Sequence, residues 1–587
     1  MTPRAKLVLS ALTAAALAAA VAPAWTGTAT AATGGKTRYL VVARSDQDAA
    51  ALKAEAKRQG AVVHDLGSTR TMAVEATPQA ASALRSSGLA STVAKDHLIR
   101  LIDPDSPGTT AAPTGPSRRT AVTGAPGKVV QDPASGLAGL MWNLDRIRSP
   151  QADKINAGSP AVTVAVADTG LDYTHPELAS KVSHVEDFTQ TENPPICETL
   201  FPEIGGDAHL ADLTGGPQDT DWNGHGSWIG GNIAAALDGT GINGIAPRVN
   251  LVSLKISQWC GYAYDSEILA AFNYAAAQHY DVLSISFGGY LDRSDPNQDA
   301  IYQQYVSTVA NARRQGTLII AAAGNEHVRI GAGGKVLSHG SLTLPGDPLA
   351  DLFGLYETPG GIPGVIDVSS TGNVVASPTA GCNTTTQVDL GGNPTCKPTS
   401  DAHQSFGVGR KDQLAYYSNY GPRIDIAGPG GARKFNLPNF EGGGTPGFPY
   451  TTDTTAYEDF STTSNWAVDI PCFVFTGSTI FYPDACYSTI QGTSMATPHV
   501  SAVAALIASA YPVARHRPGV IAAILNGTAR GGVRNTTPPL SATDTSPGDL
   551  SGVPCTTGYC HLGGPAISSG EAYGSGIVDA LAAEQIR

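Results

Sequence analysis

The sequence predicts an α/β protein: a doubly wound, mostly parallel sheet covered by helices on both faces, preceded by a small α+β module. Three observations carry this. Short unbroken apolar runs at 162–167, 251–256, 282–286, 318–323, 365–369 and 425–427 are strands buried on both faces. Helical stretches such as 265–278 and 303–315 separate them, as crossovers between parallel strands require. The composition, 42% hydrophobic and 15% charged over 587 residues, is that of a chain able to bury a large core, while 67 Gly and 40 Pro imply many turns.

In chain order, Arg4 and Lys6 precede an apolar stretch at 7–22 and the small residues Ala29-Thr30-Ala31, the layout of a secretory signal peptide over 1–31. The 7–22 stretch is marginal for crossing a bilayer and no other run approaches the needed length, so export is expected and a stable membrane anchor is not. Residues 36–102 read as a βαββαβ module: strand 38–43, helix 47–59, strands 61–64 and 71–75, helix 78–86 and strand 91–101, the order of a ferredoxin-like fold. Residues 103–138, dense in Pro, Gly, Ser, Thr and Ala around the basic pair Arg118-Arg119, read as a solvated linker open to proteolysis. The main body occupies 139–587. Four polar, Gly-rich stretches interrupt it at about 186–222, 327–363, 373–415 and 430–491, either as loops at the rim of a cleft or as stabilising decoration.

Charge divides along the chain. Residues 1–140 hold 15 Lys and Arg against 9 Asp and Glu, and the remainder holds 22 against 41, within a net charge of −13. An acidic body without clustered Lys and Arg argues against nucleic acid as a partner. All eight cysteines lie beyond residue 190: Cys197, Cys260, Cys382, Cys396, Cys472, Cys486, Cys555 and Cys560. An even count in an exported chain implies disulfides, and eight cysteines allow about a hundred connectivities. Sequential pairing is favoured, since it closes short loops for Cys382 with Cys396, Cys472 with Cys486 and Cys555 with Cys560. No C-x-x-C or H-E-x-x-H spacing is present, which argues against a structural metal thiolate.

The chemistry concentrates in four segments. Gly492-Thr493-Ser494-Met495-Ala496-Thr497-Pro498-His499-Val500 sets a serine at the mouth of an apolar helix, 500–511, where unpaired backbone N–H groups stabilise developing negative charge. Asp168-Thr169-Gly170 ends the first apolar run. Gly224-His225-Gly226 supplies an imidazole whose flanking glycines permit close approach, whereas His499 follows the serine too closely and reads as a packing residue. Ala321-Ala322-Ala323-Gly324-Asn325-Glu326 is a strand that ends on a side-chain amide.

Asp, His and Ser in that order resemble the subtilisin-like (S8) serine peptidases over about 142–579. The opening helix Met141-Trp142-Asn143-Leu144-Asp145-Arg146-Ile147 and the closing Gly574-Ser575-Gly576-Ile577-Val578-Asp579-Ala580 fit the same family, and residues 36–102 resemble its inhibitor-I9-like propeptides. The resemblance implies an acyl-enzyme peptidase with Asp168, His225 and Ser494 as triad, and with Asn325 and the Ser494 N–H as oxyanion donors. Substrate would lie as an added strand between Ser286-Phe287-Gly288-Gly289 and Gly261-Tyr262-Ala263, beside Gly324, with Glu326 either tinting the pocket negative or facing solvent. No cofactor is needed for such chemistry. A structural calcium is expected of some members, here at Asp238-Gly239-Thr240-Gly241-Ile242-Asn243 with Glu177, but this loop is shorter and Glu stands where Asp is usual. Ser227-Trp228 departs from the Thr-His that follows His-Gly in the family. The expected product is a secreted endopeptidase acting on polypeptides and inhibited by its own propeptide. Two other readings stay open: a dedicated processing peptidase or transpeptidase with a restricted cleft, and a non-catalytic binding protein on a peptidase fold. A sedolisin-type acid peptidase is disfavoured, because His225 is a base that works near neutrality.

Overall fold

The computed structural model describes residues 35–66, 70–101, 120–123, 137, 140–192, 195–339, 341–342, 350–373, 412–415, 417–432, 458–476, 482, 484–530 and 567–586. The expected signal peptide, most of the linker, and Cys382, Cys396, Cys555 and Cys560 lie outside the described residues.

The N-terminal module runs β1 (Thr37–Ala43), α1 (Asp46–Arg58), β2 (Val62–Asp65), β3 (Thr71–Ala76), α2 (Pro78–Ser86) and β4 (Ala90–Lys95). Its strands form an antiparallel sheet in the order β2-β3-β1-β4, the ferredoxin-like arrangement the sequence pattern predicts. Side chains alternate across β1. Tyr39 and Val41 pack with Leu52 of α1 and Leu84 of α2, whereas Leu40 and Val42 join a core that belongs to the main body. The module therefore docks the open face of its sheet on the body.

The body is built on an eight-stranded sheet. Its strands are β6 (Thr163–Asp168), β7 (Val182–Asp187), β8 (Asn250–Lys255), β10 (Val282–Ile285), β11 (Leu318–Ala322), β12 (Ile366–Gly372), β13 (Gln413–Leu414) and β14 (Ile426–Pro429), while β9 (Tyr262–Tyr264) lies outside it. The order is β13-β12-β11-β10-β6-β8-β7 with β14 also beside β12, and every pairing but that of β13 is parallel. Val164 and Val166 of β6 face a core with helices α3 (His225–Ala234) and α6 (Thr493–Ala510). Ala165 and Ala167 face the opposite core with α4 (Asp265–Ala277) and α5 (Pro296–Gln315). Helices on both faces make the sheet doubly wound, and the α/β expectation holds. β7 and β13 were not expected as strands: β7 is an edge strand of sequence VSHVED, partly exposed, and so lacks an unbroken apolar run.

The expected strand 91–101 divides in two. β4 stays in the module, and after Asp96-His97 a short strand, Leu98–Arg100 (β5), pairs antiparallel with β9 of the body. The break is pinned by Asp96, which accepts from the Ser266 amide (3.1 Å) and hydroxyl (2.5 Å) at the N-terminus of α4 and from Arg38 Nε (3.1 Å). Arg38 also reaches Glu267 (3.0 Å), and His97 lies 3.2 Å from Asp265.

Two disulfides join sequential cysteines, Cys197 with Cys260 and Cys472 with Cys486. Among the described residues no helix is long and apolar enough to cross a membrane.

Candidate active site

Asp168 ends β6, at the carboxyl edge of the sheet where crevices of this architecture open. Its Oδ1 accepts from the Thr169 amide (2.8 Å) and lies 2.7 Å from His225 Nδ1. The histidine is delivered by a loop gathered on Asp221. That buried carboxylate accepts the N–H groups of Asn223 (3.1 Å), Gly224 (2.8 Å) and Ser227 (2.7 Å) and the Thr169 hydroxyl (2.8 Å). Thr169 Oγ1 accepts in turn from the Gly226 amide (2.9 Å). The approach is so close that a Cβ on Gly226 would lie 2.0 Å from the Gly170 carbonyl oxygen, so only glycine fits after the histidine. Behind this turn the buried Lys255 donates to the carbonyls of Thr169 (2.5 Å) and Thr220 (3.0 Å) and pairs with Asp207 (2.8 Å), a residue of the first inserted stretch.

Ser494 sits in the first turn of α6, which begins at Thr493 rather than at the expected 500. Pro498 lies inside the helix and has no N–H for the Ser494 carbonyl. The Ser286 hydroxyl takes that acceptor instead (3.0 Å), while Ser494 Oγ donates to the Ser286 carbonyl (3.2 Å). The two serines thus lock the helix start to the end of β10. His499 is buried beneath them, its Nδ1 2.8 Å from the Met495 carbonyl and its Nε2 2.7 Å from Asn143 Nδ2. Burial pushes its pKa down to about 4, so it packs as a neutral ring, as expected.

Asn325 follows β11 through Gly324, whose φ of +95° turns the chain toward α6. Its Oδ1 accepts from both the amide and the hydroxyl of Thr493, each at 2.9 Å, which aims Nδ2 the other way. A methyl placed on Gly492 would lie 3.6 Å from Asn325 Nδ2 and equally 3.6 Å from the Ser494 amide nitrogen. Both nitrogens therefore lie near one point at Gly492, with Met495 Sδ equally close at 3.6 Å.

Ser286, Gly288 and Gly324 line a pocket with Asn325 and Ser494. Phe287 does not line it; its ring meets that of His225 edge to face at 6.4 Å. On the far side the β5 tail pairs Arg100 with Tyr262 and Ile99 with Ala263, and the Leu101 amide donates to the Gly261 carbonyl (2.7 Å). A Cβ on Gly289 would lie 2.3 Å from Ile99 Cγ2, so the tail runs between the two walls expected for substrate, with Arg100 and Leu101 at the pocket.

The calcium expectation fits poorly. Glu177 Oε1 accepts from the Ile242 amide (2.8 Å) and the Tyr487 hydroxyl (2.9 Å), and a methyl on Gly241 would lie 1.7 Å from that oxygen. Oε1 is thus taken by two donors, whereas Oε2 is buried without a hydrogen-bond partner, and among the described residues no group of three or more His, Cys, Asp or Glu stands ready to hold a metal ion. Ser227 and Trp228 pack behind the base: the Ser227 hydroxyl accepts from the Asp172 amide (2.9 Å), and the buried indole donates to the Ser488 carbonyl (3.3 Å).

Part of the last inserted stretch lies against the loop that carries His225. Asn223, two residues before His225, donates to Asp469 (3.0 Å), and Trp222 packs on Trp466 with ring centroids 5.7 Å apart. Sequence reasoning missed Asp221, Thr493 and the 98–101 tail. The Asx-turn pattern of Asp221-Trp222-Asn223-Gly224 was the available signal for the first; Thr493 and the tail carry none of their own.

The subtilase family model matches residues 159–549. The chain is 30% identical over 183 residues to the major intracellular serine protease of Bacillus subtilis (strain 168), covering 31% of this chain and 48% of the relative, and so spans about half that relative's length. It is 25% identical over 370 residues to thermitase of Thermoactinomyces vulgaris, covering 63% of this chain and 82% of that one. Among solved structures, the epidermin leader peptide processing serine protease of Staphylococcus aureus shares the fold at a TM-score of 0.56 and 16% identity, over 94% of this chain and 98% of that chain.

Proposed function

The chain belongs to the subtilase family, and on that premise we propose that it is a secreted serine endopeptidase, made as a zymogen, that cleaves polypeptides through an acyl-enzyme. The observation that carries the reading is that Asn325 Nδ2 and the Ser494 amide nitrogen both lie 3.6 Å from one point at Gly492, with His225 held 2.7 Å from Asp168. Ser494 Oγ attacks the carbonyl carbon while its proton passes to His225 Nε2. Asp168 keeps Nδ1 protonated and offsets the imidazolium charge without taking the proton. The two donors receive the oxyanion, His225 returns the proton to the leaving amine, and water repeats the cycle on the acyl-enzyme. Residues 36–102 act as the inhibitory propeptide, their tail occupying the substrate strand.

A fluorophosphonate probe tests the nucleophile. The secreted parent protein should be labelled once, and Ser494→Ala not at all. Expressed in a host without other secreted peptidases, the parent should begin between Asp103 and Met141, and Ser494→Ala should retain the residues after the signal peptide. An alanine variant that still matures at the same bond would overturn self-processing by Ser494, and an unlabelled mature parent would remove the acyl-enzyme.

A further inference from the structure

The pocket beside Ser494 is lined by two acidic side chains that the substrate backbone does not account for, Glu326 and Glu357, and Asp367 is buried beside Glu357. Glu326 follows Asn325 on one wall, where its Oε2 accepts from the Tyr290 hydroxyl (2.5 Å) and Asn419 Nδ2 (3.1 Å). Glu357 reaches the same pocket from the second inserted stretch, on a short strand, Tyr356–Thr358, that pairs antiparallel with Gly289–Leu291. It is only 3% exposed, and neither of its carboxylate oxygens has a hydrogen-bond partner. Asp367, near the start of β12, is buried with both oxygens likewise unpartnered. The two acids crowd one place: a methyl on Gly360 would lie 2.6 Å from Glu357 Oε1 and 2.8 Å from Asp367 Oδ1.

One guanidinium stands near them, and it is already engaged. Arg423 pairs with Asp425 (2.6 Å) and donates to the carbonyls of Val365 (2.8 Å) and Ile362 (3.3 Å). Arg100 of the tail lines the pocket, but its guanidinium lies 5.7 Å over the Tyr262 ring and pairs with neither glutamate. Glu326, Glu357, Asp367 and Asp425 thus share one fixed cation. Burial pushes Glu357 well above the usual carboxylate range and Asp367 up to about 7. A buried acid with no partner is stabilised by a proton or a cation, and a cationic substrate side chain entering this pocket would bring one to Glu357.

Resting on the endopeptidase reading above, we propose that this pocket selects a cationic side chain, Lys or Arg, on the acyl side of the cleaved bond, with Glu357 as its charge partner and Glu326 on the adjoining wall. An ammonium brings three donors and a guanidinium five, against unpartnered Glu357 oxygens that no apolar side chain can satisfy. A site built to bond a charged group rejects the uncharged analogue, because its own polar atoms are then left unpaired.

The test is a peptide series, identical except for Lys, Arg, Met, Phe or Glu on the acyl side, hydrolysed by the mature secreted protein at pH 8. Lys and Arg should exceed Met in kcat/KM by at least about tenfold, with Glu last. Glu357→Gln should lower the Lys-to-Met ratio by about tenfold, mostly through KM, and raise the rate on Phe. If that variant does not fold, competition by benzamidine against the neutral benzamide reads the same charge preference in the parent protein. Met or Phe ahead of Lys in the parent, or benzamide competing as well as benzamidine, overturns the pocket assignment alone. No hydrolysis of any peptide together with no fluorophosphonate labelling overturns the endopeptidase reading, and this proposal with it.

Discussion

Asn325 is aimed by what holds its other end. Because Thr493 gives Asn325 Oδ1 two hydrogen bonds of 2.9 Å, the amide nitrogen is fixed toward the space beside Ser494 before substrate arrives. Such preorganisation acts on the transition state, where the oxyanion exists, more than on the bound substrate. Asn325→Ala should therefore lower kcat by roughly a hundredfold to a thousandfold with KM nearly unchanged, the loss known for such a donor in subtilisin. A fall in KM affinity with kcat preserved would assign Asn325 to substrate binding instead. The motif residues Asp168, His225, Asn325 and Ser494 were legible in the sequence because each sits in a short local pattern with its own chemistry. Thr493, Asp221 and Glu357 were not. Asp221 sits in a local Asx-turn pattern but gains its link to the triad only through Thr169, 52 residues away. Thr493 acts on Asn325, 168 residues away, and Glu357 matters through an unpaired state that exists only after burial.

The elements that carry these residues were readable where their periodicity is simple. Buried parallel strands read as unbroken apolar runs, and β6, β8, β10 and β11 fall within a residue or two of expectation. α6 begins at Thr493, seven residues before the expected apolar stretch, and runs through Pro498. Its missing N–H is harmless here, since Ser286 supplies the donor that the Ser494 carbonyl would otherwise lack (3.0 Å). The short loop at 238–243 is the other element whose chemistry departs from the family pattern. Glu177 Oε1 takes an amide and a hydroxyl at 2.8 and 2.9 Å, hydrogen bonds that tie the loop to the body, and no cluster of three acids or histidines lies there among the described residues. A bound ion at a hundred times its dissociation constant would add about 2.7 kcal/mol, enough for its removal to lower Tm visibly. EDTA should accordingly leave the melting temperature of the mature protein unchanged. A drop that added calcium restores would put an ion in this loop, or in another part of the chain.

At the scale of the whole molecule, the sequence pattern predicts the βαββαβ module but not where its last strand goes, nor that Thr120–Thr123, inside the expected solvated linker, pairs as a strand with Phe473–Thr476. The division at Asp96-His97 depends on α4 of the body, whose N-terminus takes Asp96 as a cap at 3.1 Å, and no local signal within 91–101 encodes that partner. The same contact makes docking of the proposed propeptide sensitive to pH. His97 and Asp96 face water when the module is free and are covered by Asp265, Ser266 and Glu267 when it is docked, beside Arg38 of the module itself. For His97, burial works against protonation, but the hydrogen bond and charge of Asp265 outweigh it and the pKa is raised. Asp96 is raised by burial, although Arg38 and Ser266 pull it back. Both groups hold protons more tightly in the docked state, so docking takes up protons. The His97 contribution is complete below about 6.5, its ordinary value, and is lost as pH climbs through its higher docked value; that of Asp96 fades in the same direction. In full-length Ser494→Ala, which keeps the module attached, hydrogen exchange of β1 and β4 should be slower at pH 5.5 than at pH 8.5 after correction for the intrinsic rate. His97→Gln should flatten that difference, because glutamine keeps a donor toward Asp265 without a proton to lose. Protection that grows with pH, or a pH response unaltered by His97→Gln, would show that another group governs release of the module.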